Sequence, residues 1–211
     1  MKLYLHFAVV GFSNTYLLGP DKGGDAILID PAVIDIELLR LIEGNGFYIR
    51  HVLITHNHNS HIEGIRTLKK IYDFDIYSGN SPRAGKNNIQ LVDGKSLQLG
   101  EMAVEPILTP GHSPDSYLFK IDHMLFTGDS LAAGRLGKAP SYQARSILLE
   151  ALKTRILPLP GNLLIFPGHG PPTTLEAEVK FNPYLNGKKM IPKNTIIKFS
   201  ELSDSAHEEG T

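Results

Sequence analysis

Apolar and polar residues alternate over short stretches at the start of the chain, which is the pattern of half-buried β-strands. The stretches Leu3–Val10, Thr15–Leu18 and Asp25–Asp30 show it, with glycines between them. Strands separated by so few turn residues predict an antiparallel meander. A continuous apolar run at residues 52–54 then predicts a fully buried strand.

Helical spacing of apolar residues and further short strands follow along the chain. The predicted helices are Ile34–Gly44, His61–Tyr72, Ser141–Thr154 and Thr173–Lys180. The further predicted strands are Asp75–Tyr77, Ile89–Val92, Ser96–Leu99, Met102–Leu108, Ser116–Ile121, Met124–Phe126 and Leu163–Phe166. This order predicts an α/β fold in which two sheets pack face to face with helices outside.

Length and charge narrow the class of protein. The 211 residues suit a single globular domain. A formal net charge of −1 gives no broad positive field, which argues against nucleic acid as a partner. The chain contains no run of 18 apolar residues, so no membrane span is predicted. His6 interrupts the first apolar stretch, and no signal-peptide cleavage site follows it. We therefore expect a soluble cytoplasmic protein with a small-molecule substrate; its oligomeric state stays open.

Five of the nine histidines lie in three short segments, each where an apolar strand runs into a loop. The segments read THNHNSH at residues 55–61, TPGHSP at 109–114 and FPGHG at 166–170, and a fourth strand end, FTGDS at 126–130, carries an aspartate. Because the chain has no cysteine, a metal must bind imidazole and carboxylate. The pattern predicts such a site, since loops at strand ends present chemical groups. No paired ligand accompanies the other histidines, His6, His51, His123 and His207.

The motifs THNHNSH, TPGHSPDS, FTGDS and FPGHGPPTT resemble, in this order, those of the metallo-β-lactamase-fold hydrolases. The short relatives of glyoxalase II (hydroxyacylglutathione hydrolase) are the subgroup they resemble most. The opening SNTYLLGPDKGGDAILIDPA is similar to the first strands of that group. The resemblance covers residues 1–185 and implies a four-layer αββα sandwich with two mixed β-sheets. We expect residues 186–211 to form a basic, then acidic extension with a disordered end.

The resemblance also implies a role for each residue of the cluster. His56, His58 and His112 match the first metal's ligands, Asp129 matches the carboxylate bridging both metals, and His61 and His169 match ligands of the second metal. The family motif is H-x-H-x-D-H, but Ser60 stands at the position of its aspartate. A neutral hydroxyl is a poor ligand for such cations, so we expect one tightly held ion and a weakened second site.

Ser60 also precedes a predicted helix, and Glu63 lies three residues further on. This spacing is the signature of a capping box, in which a serine hydroxyl accepts a hydrogen bond from a free backbone N–H. Capping is therefore the predicted main role of Ser60.

The leading functional hypothesis is hydrolysis of a small thioester or ester by a metal-bound hydroxide. Three imidazoles and a water on zinc are in principle sufficient, and iron or manganese remain alternatives. Asp129 and His58 are the predicted catalytic residues, with Asp129 orienting the nucleophile or accepting its proton. Lys138, Arg135 and Tyr142 are the predicted substrate contacts, and Gly137-Lys138 resembles a glutathione-binding Gly-Lys pair of the family.

Two other functions stay open. His56, His112 and Asp129 also fit the two-histidine, one-carboxylate iron site of non-haem oxygenases, and persulfide dioxygenases resemble this family. Alternatively, the missing aspartate marks a binding protein with a vestigial metal site. The native metal, the acyl group and the pathway are not determined by the sequence.

Overall fold

The computed structural model describes residues 1–9, 11–79 and 88–186. The strands are β1 Lys2–Ala8, β2 Ser13–Gly19, β3 Gly24–Ile29, β4 Phe47–Leu53, β5 Asp75–Ser78, β6 Asn88–Gln90, β7 Leu97–Leu99, β8 Met102–Leu108, β9 Tyr117–Ile121, β10 Met124–Gly128, β11 Leu131–Ala132, β12 Arg135–Leu136, β13 Leu164–Pro167 and β14 Thr173–Thr174. The helices are α1 Ile36–Gly44, α2 Asn59–Ile62, α3 Ile65–Leu68, α4 Tyr142–Ala151 and α5 Leu175–Phe181. A π-helical turn, Leu152–Ile156, continues α4.

Two six-stranded mixed sheets dominate the described part of the chain. The first has the order β1-β2-β3-β4-β5-β6, and the second has the order β14-β13-β10-β9-β8-β7. The first three strands form the predicted antiparallel meander, and β3, β4, β5 and β6 are parallel. β11 and β12 form a separate small hairpin, which the sequence pattern did not predict.

Alternating residues of the same strands serve different core layers, because successive strand side chains point to opposite faces of a sheet. Leu17 packs with α1 and its neighbours, whereas Tyr16 and Leu18 pack between the two sheets. In β9, Phe119 lies between the sheets and Leu118 packs toward α4. These layers confirm the αββα sandwich, with helices on both outer faces.

The predicted helix over residues 61–72 is wrong as a single element. α2 and α3 are short helices on either side of Gly64. The backbone N–H of Gly64 donates to the carbonyl of Pro31, and the carbonyl of Ser60 accepts from the Ser13 hydroxyl. The i to i+4 hydrogen bond of a continuous helix would join these same two groups, so tertiary partners divide it.

Residues 187–211 lie outside the described part of the chain, so the predicted C-terminal extension stays a prediction. Among the described helices, none combines the length and the apolar character needed to cross a membrane.

Candidate metal centre

The loops after four strands bring the predicted ligands to one edge of the sandwich. β4 leads to His56 and His58, β8 to His112, β10 to Asp129 and β13 to His169, while His61 lies in α2. They form two sets that share Asp129. The first ligand group is His56, His58, His112 and Asp129, and the second ligand group is His61, Asp129 and His169.

Three imidazole nitrogens of the first ligand group form a compact triangle. His56 Nε2 lies 2.9 Å from His58 Nδ1 and 3.2 Å from His112 Nε2, and His58 Nδ1 lies 3.1 Å from His112 Nε2. A tetrahedral zinc ion with Zn–N bonds of about 2.0–2.1 Å holds its ligand atoms about 3.3–3.4 Å apart. The triangle is therefore close to the size that such an ion requires.

Asp129 lies between the two ligand groups. Its Oδ2 atom is 3.6 Å from Nε2 of both His112 and His169, and 3.9 Å from Nε2 of His56. Its Oδ1 atom is 3.3 Å from Nε2 of His61. One carboxylate thus faces the first group with one oxygen and His61 with the other.

Most ring nitrogens that point away from the cluster have an oxygen partner. Nδ1 of His112 donates to the carbonyl of Lys138 at 2.7 Å, and Nδ1 of His169 donates to the carbonyl of Phe12 at 2.7 Å. Nδ1 of His56 lies 3.0 Å from the Thr55 hydroxyl. Since a carbonyl can only accept, the contacts of His112 and His169 put the proton on Nδ1 and leave an Nε2 lone pair facing inward.

Asp30 supports His61 of the second ligand group on the side of the ring opposite Asp129. Its carboxyl group accepts hydrogen bonds from the backbone N–H and the hydroxyl of Thr55 at 2.8 and 2.7 Å. It also lies 3.1 Å from Nδ1 of His61. A buried carboxylate behind a histidine fixes the ring's orientation and raises its basicity as a ligand.

The inward atoms of this cluster fit a cation. Nε2 of His61 and Oδ1 of Asp129 are both buried and are not aligned for a hydrogen bond with each other or with another described group. Buried polar atoms without partners are costly. Facing imidazole lone pairs also repel one another, and a shared divalent ion would remove both penalties. The donor set therefore fits one or two metal ions.

The pKa values separate the two groups. Burial lowers the pKa of His56 to about 2, and the nearby His61 adds to this effect. Burial acts to lower the pKa of His61 as well, but Asp30 and Asp129 outweigh it and raise that pKa to about 10. Burial acts to raise the pKa of Asp129, but nearby His61 holds it well below its usual range. The raised pKa of His61 means that an ion at the second group competes with a proton for this ring.

Known proteins share this arrangement of elements. Residues 8–84 match the model of the Metallo-beta-lactamase superfamily. The mitochondrial persulfide dioxygenase ETHE1 of Bos taurus is 32% identical over 179 residues, which cover 81% of this chain and 70% of the relative. The chain belongs to the metallo-β-lactamase superfamily.

Other relatives point to more than one activity within this superfamily. Hydroxyacylglutathione hydrolase GloC of Haemophilus influenzae is 29% identical over 205 residues, which cover 85% of this chain and 96% of the relative. The crystal structure of ETHE1 from Myxococcus xanthus has a TM-score of 0.81 at 27% identity, and the match covers 90% of this chain and 86% of that one. Similarity alone thus leaves hydrolase and dioxygenase activities open.

A cavity of about 660 Å³ opens beside the candidate metal-binding side chains. Arg135 and Lys138, two of the predicted substrate contacts, line it together with Phe7 and Phe12. Tyr142, the third predicted contact, does not line it and is an exposed residue at the start of α4. The structure therefore places Arg135 and Lys138 at the cavity and Tyr142 outside it, and substrate contact by Arg135 and Lys138 stays a prediction.

Ser60 does not cap α2, so the predicted capping box is wrong. The helix begins at Asn59, two residues earlier than predicted, with His58 at its N-cap position and no side-chain capping bond. Ser60 instead packs under the turn between β1 and β2, where a Cβ on Gly11 would lie 3.3 Å from the Cβ of Ser60. Its carbonyl accepts the hydroxyl of Ser13 at 2.7 Å. The serine thus supports the β1–β2 turn.

Close approach of the backbone to the ligands requires glycine at residue 168. A Cβ at Gly168 would lie 2.6 Å from Cε1 of His61 and 2.7 Å from Oδ1 of Asp129. Real Cβ atoms do not approach other atoms so closely, because packed interiors leave no space for overlap. The FPGHG motif therefore contributes a space between two ligands in addition to His169.

Among the described residues, the histidines without a predicted role lie outside both ligand groups. The buried His6 pairs with Asp35 at 3.0 Å, and the exposed His123 pairs with Asp122 at 3.0 Å. His51 contacts the ring of Tyr77. His207 lies outside the described residues.

Sequence reasoning missed two features of the site. Asp30 directly follows β3 and precedes Pro31, so it is another carboxylate at a strand-to-loop junction, and this position was its available signal. Phe7 and Phe12 carry no comparable signal, because only the fold places the β1–β2 hairpin beside ligands more than 40 residues away.

Proposed function

We propose that this protein is a metal-dependent hydrolase of a small thioester or ester. The observation that carries this proposal is the triangle of three inward imidazole nitrogens, 2.9–3.2 Å apart, beside the Asp129 carboxylate and an open cavity. Three neutral imidazoles leave a divalent ion with most of its charge. Such an ion supplies an activated water and a polarised carbonyl when bound.

The chain's own residues have distinct roles in this proposal. His56, His58 and His112 hold the ion, and Thr55 and the carbonyl of Lys138 keep two of these rings oriented. Asp129 orients the attacking water or accepts its proton. Its lowered pKa keeps it ionised and favours the orienting role, because such a carboxylate is a weak base. Arg135 and Lys138 attract an anionic part of the substrate at the cavity.

We propose one tightly held ion, zinc first and iron or manganese as alternatives, with a weaker second ion. The first group offers four ligands, whereas the second offers three and shares its single carboxylate. Metal analysis of protein purified without added ions and dialysed against chelator measures this directly. Two retained equivalents per chain would contradict it.

Turnover of hydroxyacylglutathione and simple acyl thioesters tests the hydrolase proposal. Zinc-, iron- and manganese-loaded preparations should be compared with the metal-free protein and with Asp129→Asn. We expect thiol release that depends on both the metal and Asp129. The proposal fails if no loaded preparation releases thiol from any substrate of this panel.

Persulfide dioxygenase activity is the second candidate, supported by the 32% identity to bovine ETHE1. Asp129 Oδ2 lies within 3.9 Å of Nε2 of both His56 and His112, as a two-histidine, one-carboxylate iron site needs. His58 stands against it, since its Nδ1 completes the triangle as a third imidazole. Oxygen uptake by the iron-loaded protein with glutathione persulfide, without thioester turnover, would favour the dioxygenase.

A further inference from the structure

The end of the β1–β2 hairpin exposes two aromatic side chains beside the candidate metal centre. Phe7 is 49% exposed and Phe12 is 66% exposed, and their ring centroids are 6.4 Å apart. Both rings line the cavity that also contains His112, Asp129 and His169. Exposed phenylalanine leaves apolar area in water, so a cavity edge made of two such rings favours an apolar ligand.

The backbone at Phe12 is held in an unfavourable conformation. Its φ angle is +51°, in the left-handed region that bulky side chains rarely adopt. The Phe12 carbonyl accepts the Nδ1 proton of His169 at 2.7 Å, so the turn is tied to a predicted metal ligand. Strained residues held by functional groups cluster at ligand sites.

Contacts with Ser60 also fix the position of the β1–β2 turn. A Cβ at Gly11 would come 3.3 Å from the Cβ of Ser60, and the Ser13 hydroxyl donates to the Ser60 carbonyl at 2.7 Å. Ser60 immediately precedes the ligand His61. The aromatic edge therefore has a set position relative to the ligands.

The second hairpin of the cavity has the opposite chemistry. Arg135 and Lys138 lie on and just after β12, and the Lys138 carbonyl holds His112 at 2.7 Å. Asp129 Oδ2 lies 3.6 Å from both His112 and His169. The carboxylate thus lies between the histidine tied to the aromatic hairpin and the histidine tied to the cationic one.

We infer that the acyl group of the thioester substrate is a medium-length alkyl or aryl chain. This inference rests on the hydrolase activity proposed above. The acyl chain contacts Phe7 and Phe12, and the carrier lies toward Arg135 and Lys138. Water adds to the carbonyl carbon, the C–S bond breaks, and the products are a carboxylic acid, whose proton passes to solvent, and a free thiol.

A panel of thioesters on one carrier tests the acyl preference. S-acetyl-, S-lactoyl-, S-hexanoyl- and S-phenylacetylglutathione differ only in the acyl group. A buried methylene contributes about 0.8 kcal/mol, or about fourfold in kcat/KM. With partial burial, we expect the hexanoyl and phenylacetyl substrates to exceed acetyl by about tenfold. Equal kcat/KM across the panel would overturn the inference and leave the hydrolase proposal intact.

Phe12→Gly and Phe7→Ala locate the preference on the hairpin. Glycine suits a φ of +51°, so Phe12→Gly removes the ring without opposing the backbone conformation. We expect each variant to reduce the hexanoyl-to-acetyl ratio about threefold to fivefold. Val9→Ala is the matched control, since Val9 is 71% exposed on the same hairpin but does not line the cavity. A Phe12→Gly variant with the wild-type ratio would also overturn the inference.

Binding of inert thioethers separates this inference from the proposed activity. S-hexylglutathione and S-methylglutathione have no cleavable acyl bond, and calorimetry with the metal-loaded protein measures their affinities. We expect S-hexylglutathione to bind about tenfold more tightly, and Phe12→Gly to remove most of the difference. If this result appears without turnover of any thioester, the apolar subsite stands and the hydrolase proposal fails. Equal affinities in the wild-type protein would contradict the subsite itself.

Discussion

The two ligand groups share Asp129 but differ in number and in surroundings. The first group has three imidazoles and opens to the cavity through His112 and Asp129. The second group has two imidazoles, and one of them, His61, is fully buried between Asp30 and Asp129. Both groups reach the cavity, the second through His169, so the number of imidazoles and the buried carboxylate behind His61 are what separate them.

The two ligand groups also differ in the protonation of their histidines. In the first group, burial lowers the pKa of His56 to about 2 and also lowers the pKa of His58, which favours the neutral form of both rings. The second group keeps a proton on His61 when no metal is bound, because two carboxylates face it. A metal at the second group must compete with that proton, and Ser60 supplies no further charge to help it. Each prediction below tests whether the two groups are separable in this way.

Ligand removal should have the largest effect and should be unequal between the groups. We expect His112→Ala to lose the tightly held ion and more than about 100-fold in turnover, because losing even an outer partner costs about 10–100-fold. His169→Ala should retain one ion and lose less than about tenfold. Metal content after dialysis and kcat/KM measure both effects. His123→Ala, which removes an exposed histidine, is the control. Equal losses in the two ligand variants would mean that the groups act as one unit.

Asp30→Asn should weaken mainly the second group. Asparagine cannot accept hydrogen bonds from His61 and Thr55 as both carboxylate oxygens do. We expect second-ion affinity to fall about 10–100-fold, with the first ion retained. Competitive titration with a metal-binding dye measures both affinities. Asp35→Asn is the matched control, since Asp35 pairs with His6 away from the cluster. Loss of the tight ion in Asp30→Asn would contradict the assignment.

Ser60→Asp should strengthen the second group, because it adds a negative charge at the position of the family aspartate. We expect second-ion affinity to rise by about tenfold or more, since charge attraction is strong in a partly buried site. Ser60→Asn introduces a side chain of nearly the same size as aspartate but without the charge, and it should leave the second-ion affinity unchanged. If the stoichiometry after dialysis stays the same in Ser60→Asp, charge does not limit the second site.

The pH dependence of stability should give the smallest effect, in the metal-free protein alone. The pKa of His61 is about 10 in the folded state, above the unfolded value of about 6.5. Its contribution to the free energy of unfolding is therefore complete below pH 6.5 and is lost as the pH rises toward 10. Thermal unfolding of metal-free wild type and His61→Gln between pH 6.5 and 9 measures it. A decline of the same size in both proteins would contradict this role of His61.

The reliability of sequence-based prediction differed between elements. Strands with clear alternation or continuous apolar runs were predicted to within a few residues, and β8, Met102–Leu108, was predicted with its observed bounds. The prediction of one helix after the first histidine motif was wrong. The N–H of Gly64 bonds to Pro31 and the carbonyl of Ser60 bonds to Ser13, so the two groups do not form the helical bond to each other. Such tertiary partners have no local signature.

The same division holds for the candidate site. The residue types and their strand-to-loop positions in the sequence indicate a histidine and carboxylate metal site, because ligand chemistry is a property of the side chains themselves. Asp30 was missed, since a lone carboxylate after a strand is common and gains meaning only 3.1 Å from His61. Tyr142 was predicted as a contact, but the start of α4 does not bring it to the cavity.

The sequence by itself determined the layered fold and the candidate ligand residues, since apolar periodicity and donor chemistry are properties of individual residues. The tertiary structure decided which candidate ligands come together and which residues hydrogen-bond to them from outside the cluster. It also decided which surfaces form the cavity. These features depend on distances between residues far apart in the chain, and those distances exist only after both sheets have packed.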